Sequence, residues 1–368
     1  MKIAQVVCVF PPYKGGIGKV AQDYHHFVVQ SGYESLVFTP EYDRDKNSDY
    51  FVRIKPWIKY GNGAFIPQLF FYLKDCDIIH FHYPFFGAIE IMWLFSFFKK
   101  KKQKIIIHYH MDTLSLKGVA KILSTPSVFF SKKLLDRADF ITCASLDYIK
   151  NSSIGGFYKK NPQKFIEIPF GVDVSFFNPV ENAPLENKLL FVGGLDRAHY
   201  FKGLDVLLKS LAGLKNISFN LRVVGNGDLR ITYENMARDL GIEHSVSFLG
   251  ALTESELANC YRSSDIFVLP SINSHEAFGI VLIEAMASGN AVIASRLPGV
   301  RNVFEDGKQG YYFSPGNVEN LSEKISLALS DKNSLKIMKC EARKHAIEFY
   351  DKNKERKKLI AFYENLCN

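Results

Sequence analysis

Two carboxylates, Glu276 and Glu284, stand with seven residues between them in Ser274-His275-Glu276-Ala277-Phe278-Gly279-Ile280-Val281-Leu282-Ile283-Glu284-Ala285-Met286-Ala287-Ser288-Gly289. Phe278, Val281, Leu282 and Ala285 recur at helical spacing behind the strand-like run Asp265-Ile266-Phe267-Val268-Leu269-Pro270. That spacing puts Glu276 in a loop and Glu284 in a helix opened by Phe278-Gly279-Ile280. The first backbone N–H groups of a helix lack partners and carry its positive dipole end, so they attract anions. A phosphate could dock there while the two carboxylates accept hydrogen bonds from hydroxyls. Two Glu at such spacing also occur as solvated charges on many helices, and the weight of the motif lies in the residues around it.

Three further stretches carry chemistry. Phe191-Val192-Gly193-Gly194-Leu195 ends a strand, and Lys202-Gly203-Leu204-Asp205 begins a helix. His108-Tyr109-His110-Met111-Asp112 follows the strand-like Ile105-Ile106-Ile107, with His80 and His82 near an earlier strand end. Four histidines admit a metal site, but no acidic or cysteine ligand set accompanies them, and strand-end histidines are the stronger reading for His80 and His82. Gly16-Ile17-Gly18-Lys19-Val20-Ala21 satisfies G-x-G-x-x-A, which admits a nucleotide-cofactor, NAD(P)-dependent oxidoreductase as the rival class. Phe10 to Lys14 separate those glycines from the strand, whereas the fingerprint needs a tight turn directly off it. Val20 also stands where a Walker loop needs Ser or Thr.

These residues have to be positioned by a scaffold of alternating strands and helices. Residues 3–10, 36–39, 78–82, 105–108, 140–144 and 165–168 read as strands, with helices near 18–31, 85–101, 118–137 and 145–151. The plan repeats with strands at 188–192, 218–224, 246–249, 266–269, 291–294 and 310–313 and helices near 203–213, 229–240, 254–263, 279–287 and 318–329. Such alternation argues for α/β architecture with parallel, doubly wound sheets. At 368 residues the chain exceeds one typical core. The Pro- and Asn-containing stretch from Gly171 to Asn187 suits a connection, which divides the chain into domains 1–172 and 173–350, with the helical segment 352–368 packing back on the first.

Composition bounds the class. Mean hydropathy of -0.04 fits a soluble globular chain. The longest apolar run, Phe85 to Phe98, is interrupted by Glu90 and is too short to span a bilayer. The amino terminus lacks a small-residue cleavage site and reads as a buried strand, not a signal peptide. Six scattered cysteines without a C-x-x-C pair indicate reduced thiols of a cytoplasmic protein. Residues 1–172 hold 23 Lys and Arg against 14 Asp and Glu, whereas the remainder is close to neutral. Lys99 to Lys102 and Lys104 follow Trp93-Leu94-Phe95-Ser96-Phe97-Phe98, a basic block beside aromatics that fits either an anionic membrane face or a solvated helix end. No nucleic-acid partner is indicated.

The segment from Glu276 through Ala277-Phe278-Gly279 and Glu284-Ala285-Met286-Ala287-Ser288-Gly289 to Ala291-Val292-Ile293-Ala294-Ser295 closely resembles the E-x7-E signature of the retaining glycosyltransferases of family 4. The resemblance is highly specific around 265–294, good around 188–208 and loose before 170. It implies the GT-B architecture, two facing Rossmann-like doubly wound domains with an interdomain cleft. It also implies transfer of a sugar from a GDP- or UDP-type donor to a hydroxyl of a glycan or lipid-linked acceptor, without a catalytic metal or other cofactor.

By the same resemblance Glu276 binds hydroxyls of the donor sugar, with Ala277, Phe278, Gly279 and Ile280 at the phosphates, and Glu284 takes the ribose. Lys202 becomes a ligand of the diphosphate, Gly225 and Leu252 lie in the nucleotide-base region, and Gly15-Gly16 form a backbone loop near the phosphates. His110 hydrogen-bonds the transferred sugar, while Tyr13, Lys14 and Asp112 face the acceptor. The family pattern has Arg where this chain has Gly194, so that either Arg197 or His199 supplies the missing charge or the diphosphate is held less tightly. A sugar-nucleotide-binding protein without catalysis would share these features.

Overall fold

A computed structural model describes residues 1–12, 15–42, 50–113, 118–180, 184–214 and 217–367, with the side chains of 118–124 left aside. The chain forms two compact units, residues 1–169 with 355–368 and residues 170–354. The division falls at Pro169/Phe170 because the Phe170 ring packs on Phe278 at 5.3 Å and Val172 N–H donates to Tyr350 O at 2.7 Å, both inside the second unit.

In the first unit the strands are β1 (Lys2–Val6), β2 (Glu34–Pro40), β3 (Phe51–Ile54), a small hairpin of β4 (Ile58–Tyr60) and β5 (Gly63–Phe65), then β6 (Ile78–Tyr83), β7 (Lys104–Tyr109), β8 (Phe140–Cys143) and β9 (Phe165–Glu167). Seven of them form one parallel sheet in the order β3-β2-β1-β6-β7-β8-β9. The helices are α1 (Gly16–Gln30), α2 (Leu69–Tyr72), α3 (Ile89–Phe98), α4 (Gly118–Arg137), α5 (Leu146–Asn151) and α6 (Gly155–Lys160). Helices on both faces explain why strands such as Ile105-Ile106-Ile107 are apolar throughout. The C-terminal helix (Lys352–Cys367) packs here from Glu355 onward, with Leu359 and Tyr363 fully buried.

Register sets one exception to the apolar rule. Gln5 pairs with His80, and His82 pairs with His108, which pairs with Thr142. Alternate residues share a sheet face, so these five polar side chains are collected on one side, all wholly buried.

The second unit holds β10 (Lys188–Val192), β11 (Asn220–Val224), β12 (Val246–Gly250), β13 (Ile266–Leu269), β14 (Ala291–Ser295) and β15 (Gly310–Phe313) in a parallel sheet ordered β12-β11-β10-β13-β14-β15. Its helices are α7 (Leu204–Ala212), α8 (Arg230–Asp239), α9 (Glu254–Arg262), α10 (Ile280–Ala287), α11 (Val318–Ser330) and α12 (Lys332–Tyr350). Its core joins Leu189, Phe191, Val223, Val268 and Ile293 of the strands to Leu207, Leu211, Leu321 and Ile325 of α7 and α11.

The structure departs from the sequence expectation in a few places. The first strand stops at Val6, although Val7 to Phe10 stay buried, because the chain turns at Pro11-Pro12. Strand β3 and helix α12 were not anticipated. The buried stripe of α12 is Leu335, Met338, Ala342, Ala346 and Tyr350, so the middle of its helical period is written in alanine among lysines.

Candidate active site

Because every strand of the second sheet runs in one direction, the loops after β10, β11, β12 and β13 emerge at one edge, where open α/β sheets bind ligands. A short 3-10 turn, Arg197–Lys202, follows β10 and ends at Gly203, whose φ of 70° is left-handed. A Cβ there would also lie 2.0 Å from Pro270 O, so glycine lets this turn close on the end of β13. Ile272 N–H then donates to Phe201 O at 2.8 Å. This backbone clasp aligns Lys202 with the loop that carries Glu276.

Lys202 Nζ donates to Glu276 Oε2 at 2.6 Å, and Ser271 Oγ donates to the same oxygen at 2.9 Å. Side-chain exposures of 16% and 9% make this a largely desolvated ion pair, strong in attraction and costly to break from one side. Ser271 was not foreseen; its only sequence signal is its place two residues past the end of β13 at Leu269. Gly279 caps α10 in the left-handed region at φ 87°, which turns the chain from the Glu276 loop into the helix, with Ala277 half-buried and Phe278 buried. Glu284, one turn along α10, accepts a hydrogen bond from Tyr261 Oη at 3.0 Å, another unforeseen partner.

Around Gly194 the geometry separates two residues that sequence left equal. A Cβ at position 194 would lie 2.7 Å from His199 Nδ1, so the imidazole fills the space where a side chain would start. His199 Nδ1 lies 2.9 Å from both carboxylate oxygens of Asp196, the residue that caps the turn. Arg197 points elsewhere: its side chain is 86% exposed and its Nε lies 3.4 Å from Asp228 Oδ2. Gly225 N–H donates to Gly250 O at 2.9 Å at the ends of β11 and β12, and Leu252 follows in a half-buried loop position.

In the first unit, His80 and His82 are not strand-end side chains but wholly buried members of β6. His82 Nδ1 lies 2.9 Å from His110 Nε2, and His82 Nε2 lies 2.9 Å from Gln5 Oε1. His80 meets Tyr363 Oη through Nδ1 and lies 3.0 Å from Thr142 Oγ1 through Nε2, while His108 Nδ1 lies 3.0 Å from the same hydroxyl. Burial, reinforced by neighbouring imidazoles, holds His80, His82 and His110 well below the ordinary histidine pKa, and burial alone lowers His108 to about 3. Among the described residues no group of three or more His, Cys, Asp or Glu is placed to hold a metal ion.

Asp112 is tied into the scaffold. Its Oδ1 accepts from Tyr109 Oη at 2.6 Å and Ser153 Oγ at 2.7 Å, and its own N–H donates to Tyr148 Oη at 2.9 Å. Gly18 has a packing reason, since a Cβ there would lie 2.8 Å from Val9 O, which accounts for part of the G-x-G-x-x-A match without a dinucleotide. At Gly16 no atom lies within 4 Å of such a Cβ, and at Gly15 the nearest is Val9 Cγ2 at 3.9 Å. Tyr13 and Lys14 lie outside the described residues.

Known proteins of similar sequence and shape agree on one class. A family profile described as Glycosyltransferase Family 4 matches residues 14–176, and one described as Glycosyl transferases group 1 matches residues 176–345. An uncharacterized glycosyltransferase of Methanocaldococcus jannaschii is 25% identical, with 99% of this chain and 98% of that protein aligned. The sucrose-phosphate synthase of Thermosynechococcus elongatus superposes with a TM-score of 0.80 at 19% identity, over 99% of this chain and 98% of that one. Anabaena HepE, solved with UDP-glucose, superposes with a TM-score of 0.75 at 17% identity, over 99% of this chain and 100% of that one. These neighbours establish the fold class as GT-B, built from two Rossmann-like domains.

Proposed function

The chain belongs to the family 4, group 1 glycosyltransferases, and from that membership we propose that it moves a sugar from a nucleotide diphosphate sugar to an acceptor hydroxyl with retention of configuration. The observation that carries the reading is the desolvated Lys202–Glu276 pair at 2.6 Å beside the start of α10. In the transfer the bond from the anomeric carbon to the diphosphate oxygen breaks, charge grows on the diphosphate, and the acceptor oxygen attacks the same face. The acceptor proton passes to the departing phosphate oxygen. Fixed positive groups aimed at that developing charge supply most of the acceleration in such sites.

The residue roles are those that the family membership implies for the matching positions. Lys202 and the N–H groups at Phe278, Gly279 and Ile280 stabilise the leaving diphosphate, and His199, seated against Gly194, takes the place of the family arginine. Glu276 holds Lys202 through Oε2 and accepts a donor-sugar hydroxyl, Glu284 accepts from the ribose, and Gly225 and Leu252 border the base. Gly15-Gly16, which no packing contact requires to be glycine, allow backbone approach to phosphate. His110 hydrogen-bonds the transferred sugar, and no metal takes part. HepE was solved with UDP-glucose, which favours a UDP-type donor here.

The acceptor is proposed to be a glycan or a lipid-linked glycan at an anionic membrane face. Supporting this, Phe97 and Phe98 of α3 are 53% and 66% exposed, beside exposed Phe129 of α4 and Phe71 of α2. Arg137 lies 4.3 Å from the Phe97 ring and Lys133 4.3 Å from that of Phe129, so cations rim the aromatic patch. No helix among the described residues is long and apolar enough to cross a membrane.

The test is calorimetry against a panel of nucleotide sugars, followed by NMR of the anomeric product. A donor that binds, is transferred and keeps its anomeric configuration supports the reading. Binding without transfer or donor hydrolysis would indicate a sugar-nucleotide-binding protein, and an inverted product would remove the retaining route.

A further inference from the structure

We infer that Gln5 is a positioning residue: its buried amide, acting through His82, fixes His110 as the neutral tautomer protonated on Nε2, with the lone pair on Nδ1. In the structure the Gln5 amide turns its oxygen towards His82 and its nitrogen towards Tyr363. An amide oxygen only accepts hydrogen bonds and an amide nitrogen only donates. Gln5 Oε1 lies 2.9 Å from His82 Nε2, so His82 donates from Nε2. A neutral imidazole that donates from one nitrogen accepts at the other, so His82 Nδ1 carries the lone pair. His110 Nε2, 2.9 Å away, donates to it, which leaves the lone pair of His110 on Nδ1.

The other end of the amide sends a second chain the opposite way. Gln5 Nε2 donates to Tyr363 Oη at 3.4 Å, Tyr363 donates to His80 Nδ1, and His80 Nε2 donates to Thr142 Oγ1 at 3.0 Å. Thr142 then donates to His108 Nδ1, also at 3.0 Å. Turning the amide over would reverse every donor in both chains, so the orientation of this one side chain sets the tautomers of His80, His82 and His110 together. Gln5, His80, His82, His108 and Thr142 are all 0% exposed, so water does not scramble these roles.

The consequence rests on the proposed function. A ring with its lone pair on Nδ1 accepts a hydrogen bond there from a sugar hydroxyl and cannot donate one. His110 thereby selects a donor sugar by a hydroxyl proton, and the selection is set from β1, two hydrogen bonds away.

The decisive measurement is the long-range 1H–15N spectrum of protein labelled with 15N-histidine at pH 7.5. The expected result is His82 and His110 both protonated on Nε2 alone; either ring protonated on Nδ1 instead would overturn the inference. In Gln5→Met, which keeps side-chain volume but removes the amide, both rings should become tautomer mixtures; unchanged tautomers would also overturn it. If that variant does not fold, the wild-type spectrum still decides. In the folded variant, kcat/KM for the donor found by calorimetry should fall about tenfold, the value of one hydrogen bond, with nucleoside diphosphate affinity unchanged. Undiminished turnover would refute the positioning role. The expected tautomers in a protein that transfers no sugar would refute the proposed function and leave the relay standing.

Discussion

His199 occupies the space that a side chain at Gly194 would need, its Nδ1 only 2.7 Å from the position of a Cβ there. The missing arginine and the histidine are therefore alternatives for one volume. His199→Ala should weaken binding of the free nucleoside diphosphate about tenfold, the loss of one charge-assisted hydrogen bond, whereas Arg197→Ala should leave it unchanged. Gly194→Arg alone should bind poorly because of the clash, and Gly194→Arg with His199→Ala should recover affinity. Calorimetry with UDP and GDP on the wild type and these four variants checks this, and equal affinity throughout would refute it.

The Lys202–Glu276 pair makes a second prediction, and it corrects a simpler expectation from sequence. Both residues fall at loop or turn positions, which suggests that either could be removed without harm to the fold. The pair is nearly dry, however, so Lys202→Ala or Glu276→Ala leaves an uncompensated charge and should cost roughly 1–3 kcal/mol of stability besides about 100-fold or more in turnover. Lys202→Met combined with Glu276→Gln should recover most of the stability and none of the activity. Urea titrations with parallel rate assays separate the two effects.

Acid should unfold the first unit early. His80, His82, His108 and His110 are neutral in the fold, with pKa values held below the ordinary 6.5, and in the unfolded chain they return to it. Well above pH 7.5 neither state binds these protons and they contribute no pH dependence. Below it the unfolded chain binds more, so stability falls with pH by up to about 1.4 kcal/mol per unit for each histidine, until the folded pKa is reached. Denaturation at pH 7.5, 6.5 and 5.5 should show midpoints falling slightly over the first step and about three times as far over the last. Calorimetry near pH 5 should find these four histidines, together with His25, whose pKa burial lowers to about 4, each taking up close to one proton on unfolding.

Membrane binding should depend on the aromatic ridge as much as on charge. Of the lysines that follow α3, Lys99 is held by Asp139 at 3.2 Å and Lys104 begins β7, so Lys100, Lys101 and Lys102 are the exposed ones. Each is worth about 1 kcal/mol near an anionic surface, less as salt rises. Co-sedimentation with anionic vesicles should drop when these three are changed to Gln and drop again with Phe97→Ser and Phe98→Ser. Equal recovery on neutral and anionic vesicles would exclude this surface.

What repeats along the chain was legible from the residues alone, and little of what crosses it. The parallel α/β plan was legible because strands buried on both faces write continuous apolar runs, and the loop and helix placement of Glu276 and Glu284 followed from the period of Phe278, Leu282 and Ala285. Strand β3 escaped because Phe51 to Ile54 is short and contains Arg53. Gln5, Ser271 and Tyr261 escaped for another reason: each acts on a residue distant in sequence or unremarkable in spacing, and only register or a tertiary contact reveals the partner. The choice between Arg197 and His199 likewise needed the backbone of Gly194 in place.

The first unit is assembled from chain on both sides of the second: Tyr363 seals His80, Tyr33 Oη donates to Glu364 at 2.8 Å, and Arg356 donates to Gln30 at 3.0 Å. Residues 170–354 must all be synthesised before that closing helix emerges. At ribosomal rates of about 5–20 residues per second, the buried histidine face waits roughly 10–40 s for its cover. The unit thus has a folding order imposed from outside itself: the intervening unit can fold while the first remains open, and chaperone dependence should concentrate in that interval.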